Sequence, residues 1–312
     1  MCGIAGIIHR GGNGASVGSE LTSMLQALRH RGPDSTGFAL YGAPQSGRLI
    51  MRFKIAEGAD LGTGLAISEE LQERKAEVDR RIRKLGAKVI SEEAPTAYAF
   101  RYEIECPGDL TELAECIEEI DDVEILSLGD GLELVKDLGD ANEVSGEYSL
   151  GGFQGSHGIG HARMATESHV DISSAHPYWA FPFKDIAVVH NGQLTNYWTG
   201  RRELERRGHR FSSDCDSELI SVYLADKVNR GIDLETAMSE SIDDFDGVFT
   251  YLVATDSMLG MAKDRLHAKP VVLYESDDLI ALASEEVTIR SIVPHEIETT
   301  DPYEGVVKVW QT

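Results

Sequence analysis

The chain has 312 residues, 53 of them acidic and 29 basic, for a formal net charge of −24, which argues against nucleic acid or anionic membrane as a partner because both call for basic patches. No apolar run approaches the roughly 20 residues that span a bilayer, and Cys2–Ile8 is too short and lacks the basic flank of a secretory signal, so a cytoplasmic protein is expected. Its four cysteines, Cys2, Cys106, Cys116 and Cys215, have neither metal-ligand nor disulfide-framework spacing and read as free thiols, with no metal site expected.

The chain opens Met1-Cys2-Gly3-Ile4-Ala5-Gly6-Ile7-Ile8, a cysteine in front of a small-residue apolar strand that runs to His9. Removal of the initiator methionine would leave Cys2 with both a thiol and a free α-amino group. An α-amine of pKa roughly 7.7–8 can act as base near neutral pH for a thiol of about 8.5, a known way of activating a nucleophile. Taken alone, Cys2 reads as a small buried hydrophobe; the later motifs select the catalytic reading. After a Gly-rich turn, Leu21, Met24, Leu25 and Leu28 mark one face of an amphipathic helix. His30-Arg31-Gly32-Pro33-Asp34 stops it, and Thr36–Tyr41 reads as a second strand.

The next hundred residues change character. Met51–Ala56 reads as a strand and Ser68–Leu85 as a charged helix, with Glu69 and Glu70 in its first turn, Arg83 and Lys84 in its last and Gly86 at the C-cap. Strands follow at Ala87–Ser91 and Tyr98–Cys106. A helix opened by Asp109-Leu110-Thr111-Glu112 runs to Ile120, and Val123–Leu128 closes the set. This βαββαβ order is the split pattern of a ferredoxin-like unit, so residues 46–142 read as an inserted domain.

Beyond it, Gly158–Thr166 reads as a strand entering a loop, and Ile186–His190 as a buried strand ending at Asn191-Gly192. Helices are expected over Tyr197–Arg207, from about Asp214, and over Leu234–Ile242. Val248–Ala254, Gly260–Asp264, Val271–Tyr274 and Ile280–Ser284 read as an antiparallel meander, with Val306–Trp310 as a last strand.

Five stretches now stand in order: Met1–Gly6; Arg31-Gly32-Pro33-Asp34-Ser35-Thr36-Gly37; Gly160-His161-Ala162-Arg163-Met164-Ala165-Thr166; His190-Asn191-Gly192-Gln193; and Ser213-Asp214-Cys215-Asp216-Ser217-Glu218. Together they resemble the signature of class II glutamine amidotransferase domains, which are N-terminal-nucleophile hydrolases. The resemblance covers about 1–45 and 150–290. It implies an α+β fold, a four-layer αββα sandwich of two antiparallel sheets between helices. That domain would occupy 1–45 and 143–312, interrupted by the ferredoxin-like insert.

The implied reaction releases ammonia from the side-chain amide of L-glutamine, leaving L-glutamate by way of a thioester on Cys2. An oxyanion needs two fixed donors, and by resemblance these are the Asn191 side chain and the Gly192 N–H; standing alone, the pair would read as a hairpin turn. Arg163 matches the family's ligand for the substrate α-carboxylate, a job suited to a planar cation; its alternative is a surface salt bridge. Asp216 matches the ligand for the α-ammonium, with Asp214 as the helix N-cap or the alternative ligand. Thr166 would add a hydroxyl contact. Arg31 would brace the Cys2 loop or touch substrate. His161, His176 and His190 read as scaffold, since the terminal amine serves as base.

The chain ends at Thr312, so the ammonia-consuming synthase is expected on a separate subunit, in a hetero-oligomer, or is absent. The wording of Gly160–Ser168 and of Ala175-His176-Pro177 resembles the stand-alone amidotransferase subunits of split glutamate synthase and N-methylglutamate synthase systems. No cofactor is expected in this chain; a flavin would belong to the partner. Three alternatives remain. One is another N-terminal-nucleophile amide hydrolase or acylase, which would not need Arg163 and Asp216 as an amino-acid clamp. Another is an amidotransferase subunit serving a different ammonia-consuming synthase. The last is a regulatory module with a vestigial site.

Overall fold

The computed structural model describes residues 2–44, 47–57, 65–164, 171–181, 183, 185–303 and 305–312. The chain begins with β1 (Gly3–His9), α1 (Val17–Ala27), a single 3₁₀ turn at Arg29–Arg31 and β2 (Ser35–Tyr41). It continues through β3 (Leu49–Lys54), α2 (Leu65–Lys84), β4 (Lys88–Glu93), β5 (Ala99–Glu105), α3 (Leu110–Glu118) and β6 (Glu124–Gly129). Next come β7 (Leu132–Leu138), α4 (Ala141–Glu147), β8 (His157–Arg163), β9 (Tyr178–Trp179), β10 (Ala187–Leu194), α5 (Tyr197–Arg206) and α6 (Asp216–Asn229). The last part holds α7 (Leu234–Asp244), β11 (Gly247–Ala254), β12 (Met258–Lys263), β13 (Val272–Glu275), β14 (Leu279–Ala283), α8 (Glu286–Arg290) and β15 (Val307–Gln311).

The strands form three sheets, ordered β13-β14-β1-β8-β2-β7, β15-β12-β11-β10-β9 and β4-β5-β3-β6, and the paired neighbours are antiparallel. β1 is central in the first sheet. Ile4, Ile7 and Ile8 are fully buried, which explains why the strand reads as a continuous apolar run rather than an alternation. The helix α1 lies over β8 and buries Val17, Leu21, Met24 and Leu25 against it. A Cβ on Gly160 would come within 2.6 Å of Leu25, so glycine there sets how closely helix and sheet approach. On the other face, β1 and β8 meet β10 and β11 of the second sheet, and α5, α6 and α7 cover that sheet's far side with their own apolar cluster.

In the third sheet, β3 and β4 flank β5, although α2 separates them in sequence. Val78 and Ile82 of α2 and Leu113, Ala114 and Ile117 of α3 are buried with Phe53, Tyr102 and Ile104. This cluster is continuous with the core around β1.

Three expectations need correction. Residues 132–138, assigned from sequence to the insert, form β7 and pair with β2 from Ser35↔Leu138 to Tyr41↔Leu132. The chain has therefore rejoined the first sheet by residue 132. Its buried acidic and basic residues (Glu133, Lys136, Asp137) hide the strand from a pattern search. The expected meander is also divided: β11 pairs with β12 in the second sheet and β13 with β14 in the first, so the 264–271 segment crosses between sheets. Finally, α2 begins at Leu65, which moves Glu69 and Glu70 out of its first turn; Arg83, Lys84 and a left-handed Gly86 (φ 76°) close it. Among the described residues, no helix is long and apolar enough to cross a membrane.

Candidate active site

Cys2 stands at the start of β1, on the wall of a cavity of about 940 Å³. Its position is fixed by groups distant in sequence. Arg31 Nε donates to the Cys2 carbonyl (3.1 Å), and Arg31 Nη1 donates to Glu285 (2.5 Å). Ser284 Oγ accepts from the Ile4 N–H (3.0 Å), while the Ser284 N–H donates to the Ile4 carbonyl (3.0 Å). Burial would raise the Glu285 carboxyl, but its bonds from Arg31 and His30 prevail and hold it below the usual carboxylate range. Gly32 lets the 3₁₀ turn press on β8, since a Cβ there would lie 2.5 Å from the Ala162 carbonyl. The Cys2 thiol lies 3.8 Å from the Met164 carbonyl, a weak S–H contact.

Asn191 Nδ2 donates to the Cys2 carbonyl (3.2 Å) and to Ser284 Oγ (3.3 Å), which brings this side chain to the cysteine. Its Oδ1 is buried and has no hydrogen-bond partner among the described residues. Asn191 and Gly192 are not a turn and do not end the strand. They lie within β10, opposite Thr250 and Phe249. Gly192 has φ 148°, and a Cβ would sit 2.0 Å from the Val248 carbonyl, so no other residue fits.

Arg163 ends β8 and lines the same cavity. It is only 8% exposed. Asp216 is the first residue of α6. Its Oδ2 accepts from the Leu194 N–H (2.8 Å), and its Oδ1 lies 3.6 Å from His190 Nδ1. Burial would raise its pKa, but the His190 and Leu194 contacts outweigh that and lower it, keeping a carboxylate at the positive end of a helix. Asp214 is not the N-cap. That position is Cys215, whose side chain makes no capping bond, and Asp214 is exposed and paired with Arg201 (2.9 Å). The buried Glu218 instead fastens the preceding loop, accepting from the N–H and hydroxyl of Ser212 (2.7 and 2.9 Å) and of Ser213 (2.8 and 2.6 Å).

The three histidines converge on the cavity. His161 stacks on His176 with centroids 4.1 Å apart, and the Ser217 hydroxyl lies 2.6 Å from His176 Nε2 and 2.9 Å from His190 Nδ1. Desolvation, followed by the nearby His190 and Arg163, pushes His161 down to about 3; desolvation and His161 drive His176 well below its ordinary value. The His161 and His176 rings are therefore neutral at physiological pH. Thr166 and Met1 lie outside the described residues. Cys2, Arg31, Arg163, Asn191, Gly192 and Asp216 all line one cavity. Ser284, Glu285 and Ser217 were not singled out from sequence. The first two follow a strand some 280 residues from the cysteine they hold, and only the pairing of β1 with β14 brings them there.

Comparison with known proteins agrees with this grouping. Residues 161–291 match the glutamine amidotransferase domain model. A protein of Methanothermobacter thermautotrophicus named as a glutamine amidotransferase is 39% identical over 316 residues, covering all of both chains. The glutamine amidotransferase-like protein GlxB of Rhizobium meliloti is 35% identical over 291 residues, covering 91% of this chain and 89% of its own. In fold, the chain is similar to the PRPP amidotransferase from B. subtilis, at TM-score 0.61 and 16% identity, over 99% of this chain and 47% of that one. The chain thus spans about half the length of that structure. The architecture is a mixed α and β fold with several antiparallel sheets, similar to that amidotransferase. The chain belongs to the class II glutamine amidotransferases, and it is an enzyme of that class.

Proposed function

We propose that this enzyme hydrolyses L-glutamine to L-glutamate and ammonia through a thioester on Cys2, and delivers the ammonia to a separate synthase subunit of glutamate synthase type. The observation that carries the first part is the convergence of the separated motifs on one cavity. Once Met1 is removed, the α-amine of Cys2 takes the thiol proton as the sulfur attacks the amide carbon, and returns it to the departing ammonia. Asn191 Nδ2 and the Gly192 N–H stabilise the oxyanion. Arg163 binds the α-carboxylate and Asp216 the α-ammonium, with a hydroxyl contact from Thr166. Arg31 braces Cys2 from behind, in keeping with its bonds to the Cys2 carbonyl and Glu285.

The site is read as part of a four-layer αββα sandwich, supported by the helices outside each of two packed sheets. The β4-β5-β3-β6 order supports a ferredoxin-like insert. The wording around Gly160–Ser168 and Ala175-His176-Pro177 supports the glutamate synthase assignment. In that assembly, a cytoplasmic hetero-oligomer, any flavin belongs to the partner.

The test is ammonia release from glutamine by the chain isolated from its host, with intact-mass analysis of the N-terminus. A chain beginning at Cys2 should be active. Full activity in a chain that retains Met1 would refute the proposed base. Co-purification with a flavin-containing synthase would support the partner assignment, and a stable complex with a different ammonia-consuming enzyme would overturn it.

A further inference from the structure

Ser217 stands beside Asp216 but faces elsewhere. It is 1% exposed, and its hydroxyl lies between His176 Nε2 (2.6 Å) and His190 Nδ1 (2.9 Å). A hydroxyl has one proton, so it donates to one ring and accepts from the other. The direction follows from a third group. Asp216 Oδ1 lies 3.6 Å from the same His190 Nδ1. A carboxylate favours an N–H there over a lone pair. His190 therefore carries its proton on Nδ1 and donates it to Ser217, and Ser217 donates to His176 Nε2. His176 is neutral with its proton on Nδ1, and its ring is held by stacking on His161 and edge-on against Tyr178.

We infer that Ser217 is a positioning residue for glutamine recognition: by bridging His176 and His190, it fixes the ring that flanks the Asp216 carboxylate. The inference rests on the proposed role of Asp216 as the ammonium ligand. The Asp216 carboxylate has two main supports, the Leu194 N–H at Oδ2 and the His190 edge at Oδ1, besides a weak contact from the Cys215 thiol to Oδ1 (3.8 Å). The first is backbone and cannot be lost by side-chain substitution. The second depends on the orientation of a ring whose other nitrogen, Nε2, is buried without a partner among the described residues. Without the Ser217 hydroxyl, the ring nitrogens keep, among the described residues, only the 3.6 Å contact to Asp216.

The test compares L-glutamine with its analogue lacking the α-amino group, 4-carbamoylbutanoate, using ammonia release for both. Ser217→Ala should lower the preference for glutamine, as the ratio of kcat/KM values, by about tenfold, the scale of one buried hydrogen bond. The loss should lie in KM, and Ser217→Thr, which keeps the hydroxyl, should restore the preference. An unchanged ratio, or an equal loss on both substrates, would overturn the inference. Asp216→Asn separates the two levels. If it abolishes the preference while Ser217→Ala does not, the ammonium ligand stands and the role of Ser217 falls. If Asp216→Asn keeps the preference, the ligand assignment falls and takes this inference with it.

Discussion

At the seam between residues 49–129 and the first sheet, buried charges face their opposites. Lys54 lies 2.5 Å from Glu57 and 3.1 Å from Glu124, Lys136 lies 3.2 Å from Glu124, and Glu133 accepts from both Arg52 and Arg101. The Ser173 hydroxyl lies 2.7 Å from both Glu57 and Glu124 and donates its one proton to one of them. In the cavity at the head of β1, by contrast, Asn191 Oδ1, His176 Nδ1 and His190 Nε2 are buried with no hydrogen-bond partner among the described residues. A buried polar atom left without a partner costs free energy. The seam satisfies its polar groups and so fixes one part of the chain against another. The cavity leaves some unsatisfied, which is tolerable where a ligand is to be received.

The comparison can be tested most severely at the nucleophile. Cys2→Ala should reduce glutamine hydrolysis by about 10⁴-fold or more while leaving the denaturation midpoint almost unchanged, since the side chain is partly exposed. Ammonia assays and urea titrations of the same preparation would check this. Asn191→Ala should reduce kcat by about 10²- to 10³-fold, the usual effect of losing one oxyanion donor, with a smaller change in KM.

The seam should respond in the opposite sense. Glu124→Gln leaves Lys54 and Lys136 buried beside a neutral amide and should destabilise the protein by about 3 kcal/mol, with KM for glutamine preserved. A large KM change with intact stability would show that the two regions are not separable in this way.

The pH dependence sharpens the contrast. Burial opposes ionisation of Glu124, but Lys136 and Lys54 outweigh it and lower its carboxyl to about 2. Its contribution is therefore complete above the unfolded value near 4.5 and is lost as pH falls toward 2. His157 is pushed down to about 4 and His161 to about 3, chiefly by desolvation. The unfolded chain takes up these protons near pH 6.5 while the folded chain does not. Stability should thus begin to fall below pH 6.5, by up to about 1.4 kcal/mol per pH unit for each such histidine. Urea titrations from pH 7.5 to 3.5 should show two stages, and Glu124→Gln should diminish only the lower one, to which Asp216 and Glu285 also contribute. The smallest effect is expected for Arg31→Lys, which keeps the charge but cannot hold the Cys2 carbonyl and Glu285 with one rigid fork; about a tenfold loss in kcat/KM is expected from steady-state kinetics.

Most strands and helices were legible, because apolar runs and periodic faces report burial directly. The exceptions have physical causes. β7 carries Glu133, Lys136 and Asp137 into the interior, where partners from other elements neutralise the first two and Tyr98 and Tyr148 donate to the third, so hydropathy gives no strand signal. Asn191-Gly192 has the composition of a turn, but a left-handed glycine inside a strand looks the same in sequence.

The sequence by itself determined the chemistry on offer: a thiol at the second residue, an Asn-Gly pair, an arginine at the end of a strand and an aspartate opening a helix. Side-chain chemistry is a local property and needs no fold to be read. Only the tertiary structure decided which groups act together. Ser284 and Glu285 reach the Cys2 region because β14 pairs with β1, and Ser217 bridges two histidines because α6 packs beside β10. Those contacts join residues far apart along the chain, and no local pattern encodes a distance that sheet pairing and packing set.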